Sequence, residues 1–587
     1  MSNSIAPGSS ADVNIKVTAL TTNPNVPVTY KTIILKKNLV NGVNTLTQEM
    51  MSTANTKYVI KYNYVLGDDI TIPAGCILEF DGGSISANGS NDTINGVNTG
   101  ISAGLVKILN TDVILAGSWN VVEAYPEWFG AKGDGIIECA AAINKTIQNF
   151  KGKIKLSTGR YIISETIILS NNTILEGNGS GPAFRTKSYG EVTAIEPSSS
   201  FQGDRVISAD PKDYSLNAYY IYGCCIKNLA IDCINIANNT KTIIALMSVT
   251  NTDIFENIKV VNNNTNIALW IDESSNTNGM DPDGIIVSDF YCLSLDSEYK
   301  DLATLPLAII GVCNEVSIRD SKFQRCGNPN ISDSVALLIN AKANGRTGKA
   351  SNGITIDSCS FTEAEAGVKL VGNTTDANGP RYVRIVNCTW EYCKYPILTK
   401  SDSINDPVQF CNFGPGNRVN TIPSEGIHIK MESYSSNNVL YLTDNMKVEC
   451  ATENTSNIII GGSEQSVING NTNLWIRNDL GSIKLNHTSS WNNLTLGSGW
   501  INASPSNRNI AQYQLYNDKV NLRGYLTAGS FGYPNYIFTL PEGARPKKAY
   551  VINLDAENKL TVLDDGNCFI TGSGTTISID GVSFNIN

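Results

Sequence analysis

The sequence predicts an all-β protein: a right-handed parallel β-helix, with an N-terminal β-rich module and a C-terminal β-sandwich. Three observations predict it. A weak repeat of about 30 residues runs through the middle of the chain. Asn, Ser, Thr, Gly, Ile and Val are abundant while long helix formers are scarce, which favours strands and turns. Short alternating strands punctuated by Gly and Pro occur towards both ends.

The repeat is anchored on six polar positions, Asn228, Asn257, Asp289, Asp320, Ser358 and Asn387, spaced 29, 32, 31, 38 and 29 residues apart. Three residues after each stand Ile231, Val260, Cys292, Phe323, Phe361 and Trp390. Two residues before each stand Ile226, Phe255, Val287, Ile318, Ile356 and Ile385. A further two back come Cys224, Asp253, Ile285, Val316, Ile354 and Val383, apolar except for Asp253. One residue after each come Leu229, Ile258, Phe290, Ser321, Cys359 and Cys388. Apolar positions two apart are strand periodicity. The phase shift across the polar residue requires a bend there. Stacked coils would place the apolar columns inside and an Asn/Asp/Ser ladder along a turn, its amides bonding neighbouring backbone. The alternative is a chance alignment of Ile-rich strands in a β-sandwich array.

The 587 residues exceed one ordinary core, which a repeat architecture accommodates. Only 17% are charged and the formal net charge is −10. That composition argues against nucleic acid as a partner, since phosphate neutralisation needs a basic surface, and against adhesion to an acidic membrane. The longest apolar run, Leu305 to Val312, contains Pro306 and Gly311 and falls far short of the ~20 residues needed to span a bilayer. Met1 to Asp12 is polar, without an apolar signal core. The 14 cysteines include no Cys-x-x-Cys pair, and His428 and His487 are the only histidines. No cofactor and no structural metal site is therefore expected. The cysteines read as small buried apolar residues in a reducing compartment, with Cys359 and Cys388 stacked one coil apart.

Three motifs carry family resemblance. Trp128-Phe-Gly-Ala-Lys-Gly-Asp134-Gly, followed by Ala140-Ala-Ala-Ile-Asn-Lys-Thr-Ile147, resembles the opening motif of pectate-lyase-like β-helices in phage tail spikes and polysaccharide-degrading enzymes. That family usually ends the loop with an acidic pair. Here Ile137-Glu138-Cys139 stands in its place. Gly130, Gly133 and Gly135 permit a tight turn, and Ala141, Ala142, Ile143 and Ile147 offer an apolar helix face to cover the open end of the β-helix core. Ile72-Pro-Ala-Gly-Cys-Ile-Leu-Glu-Phe80-Asp-Gly-Gly-Ser84 resembles N-terminal modules of phage tail proteins. Val520-Asn-Leu-Arg-Gly524, Phe538-Thr-Leu-Pro541-Glu-Gly-Ala-Arg-Pro546 and Ile577-Ser-Ile-Asp-Gly581-Val-Ser-Phe584 together resemble the C-terminal β-sandwich of phage receptor-binding proteins. The expected organisation is 1–125 as a virion-attachment module, 126–504 as the β-helix and 505–587 as the β-sandwich. Residues of about 400–505 match no named family.

Such spikes often cleave glycan. A hydrolase needs two carboxylates about the scissile bond, and a lyase needs a base and a cation. Polygalacturonase-type motifs are absent, and Asn251-Thr-Asp253 is only a fragment of one. Register supplies the candidates. Five residues past the last three ladder positions stand Arg325, Glu363 and Tyr392, with Glu365 and Lys394 two further on. On a regular strand Glu363 and Glu365 would share a face. Acid/base work by Glu363 and Glu365, with Arg325 and Tyr392 beside them, is set against a plain surface charge ladder. Trp270, Tyr392 and Trp500 are candidate sugar-stacking platforms, as is Trp491. Core or interface roles are the alternative for each. The acidic segment Asp272-Glu273 to Asp281-Pro-Asp283 could hold Ca²⁺ through its carboxylates, but it fits no EF-hand spacing and reads as a solvated turn.

The resemblance implies a homotrimeric phage tail spike, made in the host cytoplasm and carried in the virion tail. It would bind bacterial capsule or O-antigen, with or without depolymerising it, and meet other tail proteins through its N-terminal module. Two readings compete: a polysaccharide lyase or hydrolase acting independently of a virion, and a purely structural tail component.

Overall fold

The structure is a computed structural model describing residues 30–586 apart from short internal stretches, the longest being 182–191, 294–305 and 342–349. Met1 to Asp12 and Asp253 lie outside the described residues. The chain forms two compact units, one of residues up to 104 with 112–121, the other of 105–111 with 122–587.

Apart from the antiparallel pair Leu39–Val40 with Val43–Leu46, the first unit is itself parallel. Lys31–Ile34, Thr56–Ile60, Ile77–Phe80 and Thr93–Ser102 pair in that order. Val43–Leu46, Asn63–Leu66 and Ser84–Ser86 form a second parallel ladder. Tyr58 and Tyr64 are buried between these strands' coils. Gly82 turns the chain at φ 86° after Phe80, as the Gly-Gly pair predicts.

In the second unit, 30 described strands from Glu123–Ala124 to Ser482–His487 join in sequence order. Almost every pairing is parallel and one coil apart, which defines a β-helix. Only the last, Leu474–Asp479 with Ser482–His487, is antiparallel. The predicted columns are in register. Ile195, Ile231, Val260, Cys292, Phe323, Phe361 and Trp390 are successive partners. Phe255, Val287, Ile318, Ile356 and Ile385 form a second column. Both columns are buried to within a few per cent, and Phe323, Phe361 and Trp390 stack with ring centroids 5.3 and 5.9 Å apart.

All six polar ladder residues sit in the left-handed region, with φ between 48° and 58°. That explains the residue choice, because Asn and Asp tolerate this conformation better than other side chains. The expected amide bonds to backbone are a minor feature here. Asn257 Nδ2 donates to Asn228 Oδ1 at 2.9 Å, and Asn387 Nδ2 donates to Asp357 Oδ1 at 2.9 Å. Amides that bond backbone lie further on, at inward-turned Asn417, Asn438 and Asn457. Their Nδ2 groups donate to the carbonyls of Ile385, Val408 and Ser435.

The Trp128 motif builds the first coil. Its helix, Ala140–Asn149, buries Ala140, Ala142, Ile143, Thr146 and Ile147. Ala141, expected on that face, points out, because it precedes the buried Ala142 by 100° of helix turn. Trp128 meets Phe150 edge-on at 5.9 Å. All 14 cysteines are free, and all but Cys225 are buried. Burial pushes the thiol of Cys139 up to about 11 and those of Cys393 and Cys411 up to about 12, so they are packing groups rather than nucleophiles. No helix among the described residues is long and apolar enough to cross a membrane.

From residue 492 the pairing turns antiparallel, with Gln512–Tyr516, Lys519–Arg523 and Val582–Asn585 in one sheet. Tyr550–Asn553, Lys559–Val562 and Asn567–Thr571 lie in another. Val520, Leu522, Phe538, Leu560, Ile570, Ile577 and Phe584 share their core.

Candidate functional site

A β-helix offers function only on its sides, because its interior is a filled column of apolar side chains. Which side chains reach solvent is decided by strand alternation and by the bends. Five residues after the first ladder comes a second left-handed bend, at Asn262, Arg325, Glu363 and Tyr392 (φ 56°, 54°, 58° and 53°). Flanking pairs fix their stacking: Thr362 partners Glu391 and Ala364 partners Cys393. The Arg325 amide donates to Thr362 Oγ1 at 2.9 Å, and that of Cys326 to the Thr362 carbonyl at 3.1 Å. Arg325, Glu363 and Tyr392 therefore occupy equivalent bends on consecutive coils. The extra residues of the 38-residue step fall between Ile339, which pairs with Ile310, and Ser351, which pairs with Cys313, so the column is unbroken.

The two carboxylates are not equivalent. Glu363 sits at the bend, so it and Glu365 do not project as neighbours on a regular strand. The left-handed φ breaks the two-residue alternation on which a shared face depends. Glu365 lies beyond the bend, on the strand whose Ala364, Ala366, Val368 and Leu370 point inward. Its Oε2 accepts the backbone N–H of Asp333 at 2.6 Å. Asp333 in turn meets Lys369 Nζ at 2.6 Å. Glu365 thus pins the preceding coil's connection. Tyr392 is 59% exposed. Lys394 Nζ lies 5.2 Å from the centroid of the buried Tyr395 ring, whose other cation is Lys430 at 4.9 Å.

The tryptophans divide. Trp270 is half-buried and its Nε1 donates to Asp272 Oδ2 at 3.0 Å. Trp500 is corrected: at 3% exposure it belongs to the C-terminal core, donating to the Ser530 carbonyl and packing edge-on against Phe531 at 5.2 Å. No face remains for a sugar. Arg523 covers one face of Trp491 at 4.1 Å.

The acidic segment divides: Asp281 is half-buried and Asp283 exposed, as in a solvated turn, whereas its start is corrected. Asp272, Glu273 and Ser274 are buried, not a solvated turn, because Asp272 ends an inner strand, Ile267–Asp272. Burial pushes the Asp272 carboxyl up to about 7, against the N–H donors of Trp270, Val312 and Glu273. Gly311 is what lets this carboxyl in, since a Cβ there would lie 2.1 Å from it. Among the described residues no group of three or more His, Cys, Asp or Glu side chains is placed to hold a metal ion.

One exposed aromatic pair escaped the sequence reading. Tyr382 and Phe410 are 61% and 46% exposed and stack at 5.5 Å. The signal was available in part, since Tyr382 falls five residues before Asn387.

One family comparison covers part of the β-helix. Residues 127–299 match the model of a family described as rhamnogalacturonase A/epimerase, pectate lyase-like. No curated protein matches the chain. Among solved structures, the chain is similar to tailspike gp49 of Acinetobacter baumannii bacteriophage Fri1, a capsular polysaccharide depolymerase. Identity is 12%, over 79% of this chain and 84% of that one, with a TM-score of 0.38. PfbA, a surface adhesin of Streptococcus pneumoniae, is 12% identical over 68% of this chain and 98% of its own, with a TM-score of 0.40. The tailspike of Escherichia coli bacteriophage HK620, solved with a hexasaccharide, is 10% identical over 90% and 85%, with a TM-score of 0.35.

Proposed function

We propose that the protein is a phage tail spike that binds a bacterial surface polysaccharide along the side of its β-helix. The observation that carries this reading is the pectate-lyase-like match over residues 127–299, on a β-helix whose bends display aromatic and charged side chains to solvent. The N-terminal unit serves attachment to the particle, and the C-terminal β-sandwich resembles receptor-binding heads. The working form is a homotrimer, in which long flat sides bury surface between chains. The test uses immobilised purified capsular polysaccharides and O-antigens as a panel, with light scattering on the same sample. Binding to at least one glycan by a trimer is expected. No binding across the panel, or a monomer at micromolar concentration, counts against the reading.

A second reading, cleavage of the bound glycan, is favoured by the stacked Arg325, Glu363 and Tyr392. Glu363→Gln keeps shape and removes the ionisable group. It is expected to slow release of shortened oligosaccharides by about a hundredfold or more while binding persists. Glu365→Gln is expected to do less, because Glu365 serves Asp333. Full-rate cleavage in both variants would eliminate this column as the reacting site.

A further inference from the structure

The β-helix has a third column of left-handed residues, and two adjacent rungs of it carry aromatic side chains. Gly284, Glu315, Gly353, Tyr382, Phe410, Asn437 and Ser456 all have φ between 52° and 67°. Register makes them successive rungs. Asp283 pairs with Asn314, Cys313 with Ser351, Asn352 with Arg381, Arg381 with Gln409, Gln409 with Ser436, and Val439 with Ile458. Gly, Asn and Ser suit such a bend. A bulky aromatic there is an outlier, and strained backbone of this kind clusters at ligand clamps. Here two aromatics occupy adjacent rungs, both largely exposed, with ring centroids 5.5 Å apart and planes 14° apart. Neither core packing nor backbone preference accounts for them.

The next rung on the Tyr382 side is Gly353, which has no side chain, and beyond it stands the exposed carboxylate of Glu315. Rungs are ~4.8 Å apart, so Tyr382 and Glu315 are separated by roughly 9–10 Å along the axis, with glycine at the rung between and the Glu315 side chain leaning towards it, its Cγ 3.6 Å from where a Gly353 Cβ would stand. A flat ring lying on the Tyr382 face at ~4 Å fits that gap. Two residues along each strand, Ser317, Thr355 and Arg384 are also successive partners. They face outward, because Val316, Ile318, Ile354, Ile356, Val383 and Ile385 are the buried alternates. The slot thus has an aromatic floor, a carboxylate above and a lane of two hydroxyls and a guanidinium beside it.

We propose that the Tyr382–Gly353–Glu315 slot is a sugar-ring subsite. A pyranose stacks its C–H face on Tyr382, with Phe410 backing that ring, and its hydroxyls donate to Glu315 and exchange bonds with Ser317 and Thr355. This rests on the glycan-binding reading above. A second subunit is the competing occupant, since the trimer reading buries some side of the β-helix between chains, and the oligomeric state of the variants separates the two.

Tyr382→Asn removes the ring and suits the left-handed bend, so the fold is retained. Gly353→Asn keeps the bend and fills the slot, though its Cβ would lie 3.1 Å from the Glu315 amide nitrogen. Both are to be tested against the same immobilised polysaccharide panel, with melting and light scattering as controls. Each is expected to weaken binding about tenfold or more, with Tyr382→Asn melting no lower than wild type and the oligomeric state unchanged. If wild type binds and Tyr382→Asn binds equally well, the slot is overturned while the glycan reading stands. If wild type binds no glycan, that reading falls and the slot with it. If Tyr382→Asn changes the oligomeric state, the rings belong to a subunit interface and the proposal fails.

Discussion

Phe361→Ala is expected to cost about 4 kcal/mol of stability, within the range for deleting a buried aromatic. Phe361 is fully buried and stands between Phe323, nearly parallel at 8°, and Trp390, at 19°. Its removal opens a cavity that neither neighbour can close. Each ring is tied to its own coil, and the coils are held by backbone pairing on both sides. Trp390 is fitted just as closely: a Cβ on Gly367 would lie 2.3 Å from its Cδ1. Phe361→Leu retains most of the volume and is expected to cost less than about 1.5 kcal/mol. Guanidinium unfolding of the two variants beside wild type measures both. A loss under 1 kcal/mol in Phe361→Ala would mean that the coils collapse onto the gap, and that the aromatic column contributes little to holding them.

That column was legible in the sequence because inward positions of a β-helix obey two rules at once. They alternate along the strand and they recur at each coil, so Cys292, Phe323, Phe361 and Trp390 could be aligned without coordinates. The first bend was legible because its occupants share a chemistry, Asn, Asp or Ser. The third bend was not. Gly353, Tyr382 and Phe410 share only a backbone angle, and no residue-type pattern encodes a positive φ on an aromatic. Period also failed beyond residue 430. There the coils shorten, so that His428 meets Lys447 and Asn438 meets Asn457 across 19 residues, and a search at about 30 finds nothing. Within the candidate site, the alignment of Arg325, Glu363 and Tyr392 was readable from offsets alone. The separate fates of Glu363 and Glu365 were not, because they depend on where the bend falls and on the Asp333 N–H of a connecting loop. Trp500 exposes a related limit: a lone aromatic in an irregular segment carries no phase, so nothing in the sequence placed it in a core.

The shortened coils create a pH dependence that can be measured. His428 is buried, and its Nδ1 accepts the Lys447 backbone N–H at 3.0 Å. That arrangement fixes the neutral ring with its proton on Nε2. Burial, reinforced by the Lys447 charge, pushes its pKa down from 6.5 to about 4. Between those values the unfolded chain binds the proton and the folded chain does not. The contribution to stability is therefore complete above about pH 6.5 and is lost as pH falls towards 4. Roughly 2–3 kcal/mol is at stake, the ~3.5 that ~1.4 kcal/mol per pH unit gives over this window being reduced by partial solvent screening. His428→Asn places an amide oxygen near the Nδ1 position, keeping the acceptor for Lys447 while removing the titrating group. Guanidinium midpoints at pH 7.5 and 4.5 should fall further for wild type than for His428→Asn, the gap between the two drops being this residue's share. Equal drops would show that protonation of His428 is accommodated within the fold, either because its coil opens locally or because the Lys447 backbone turns away from the ring.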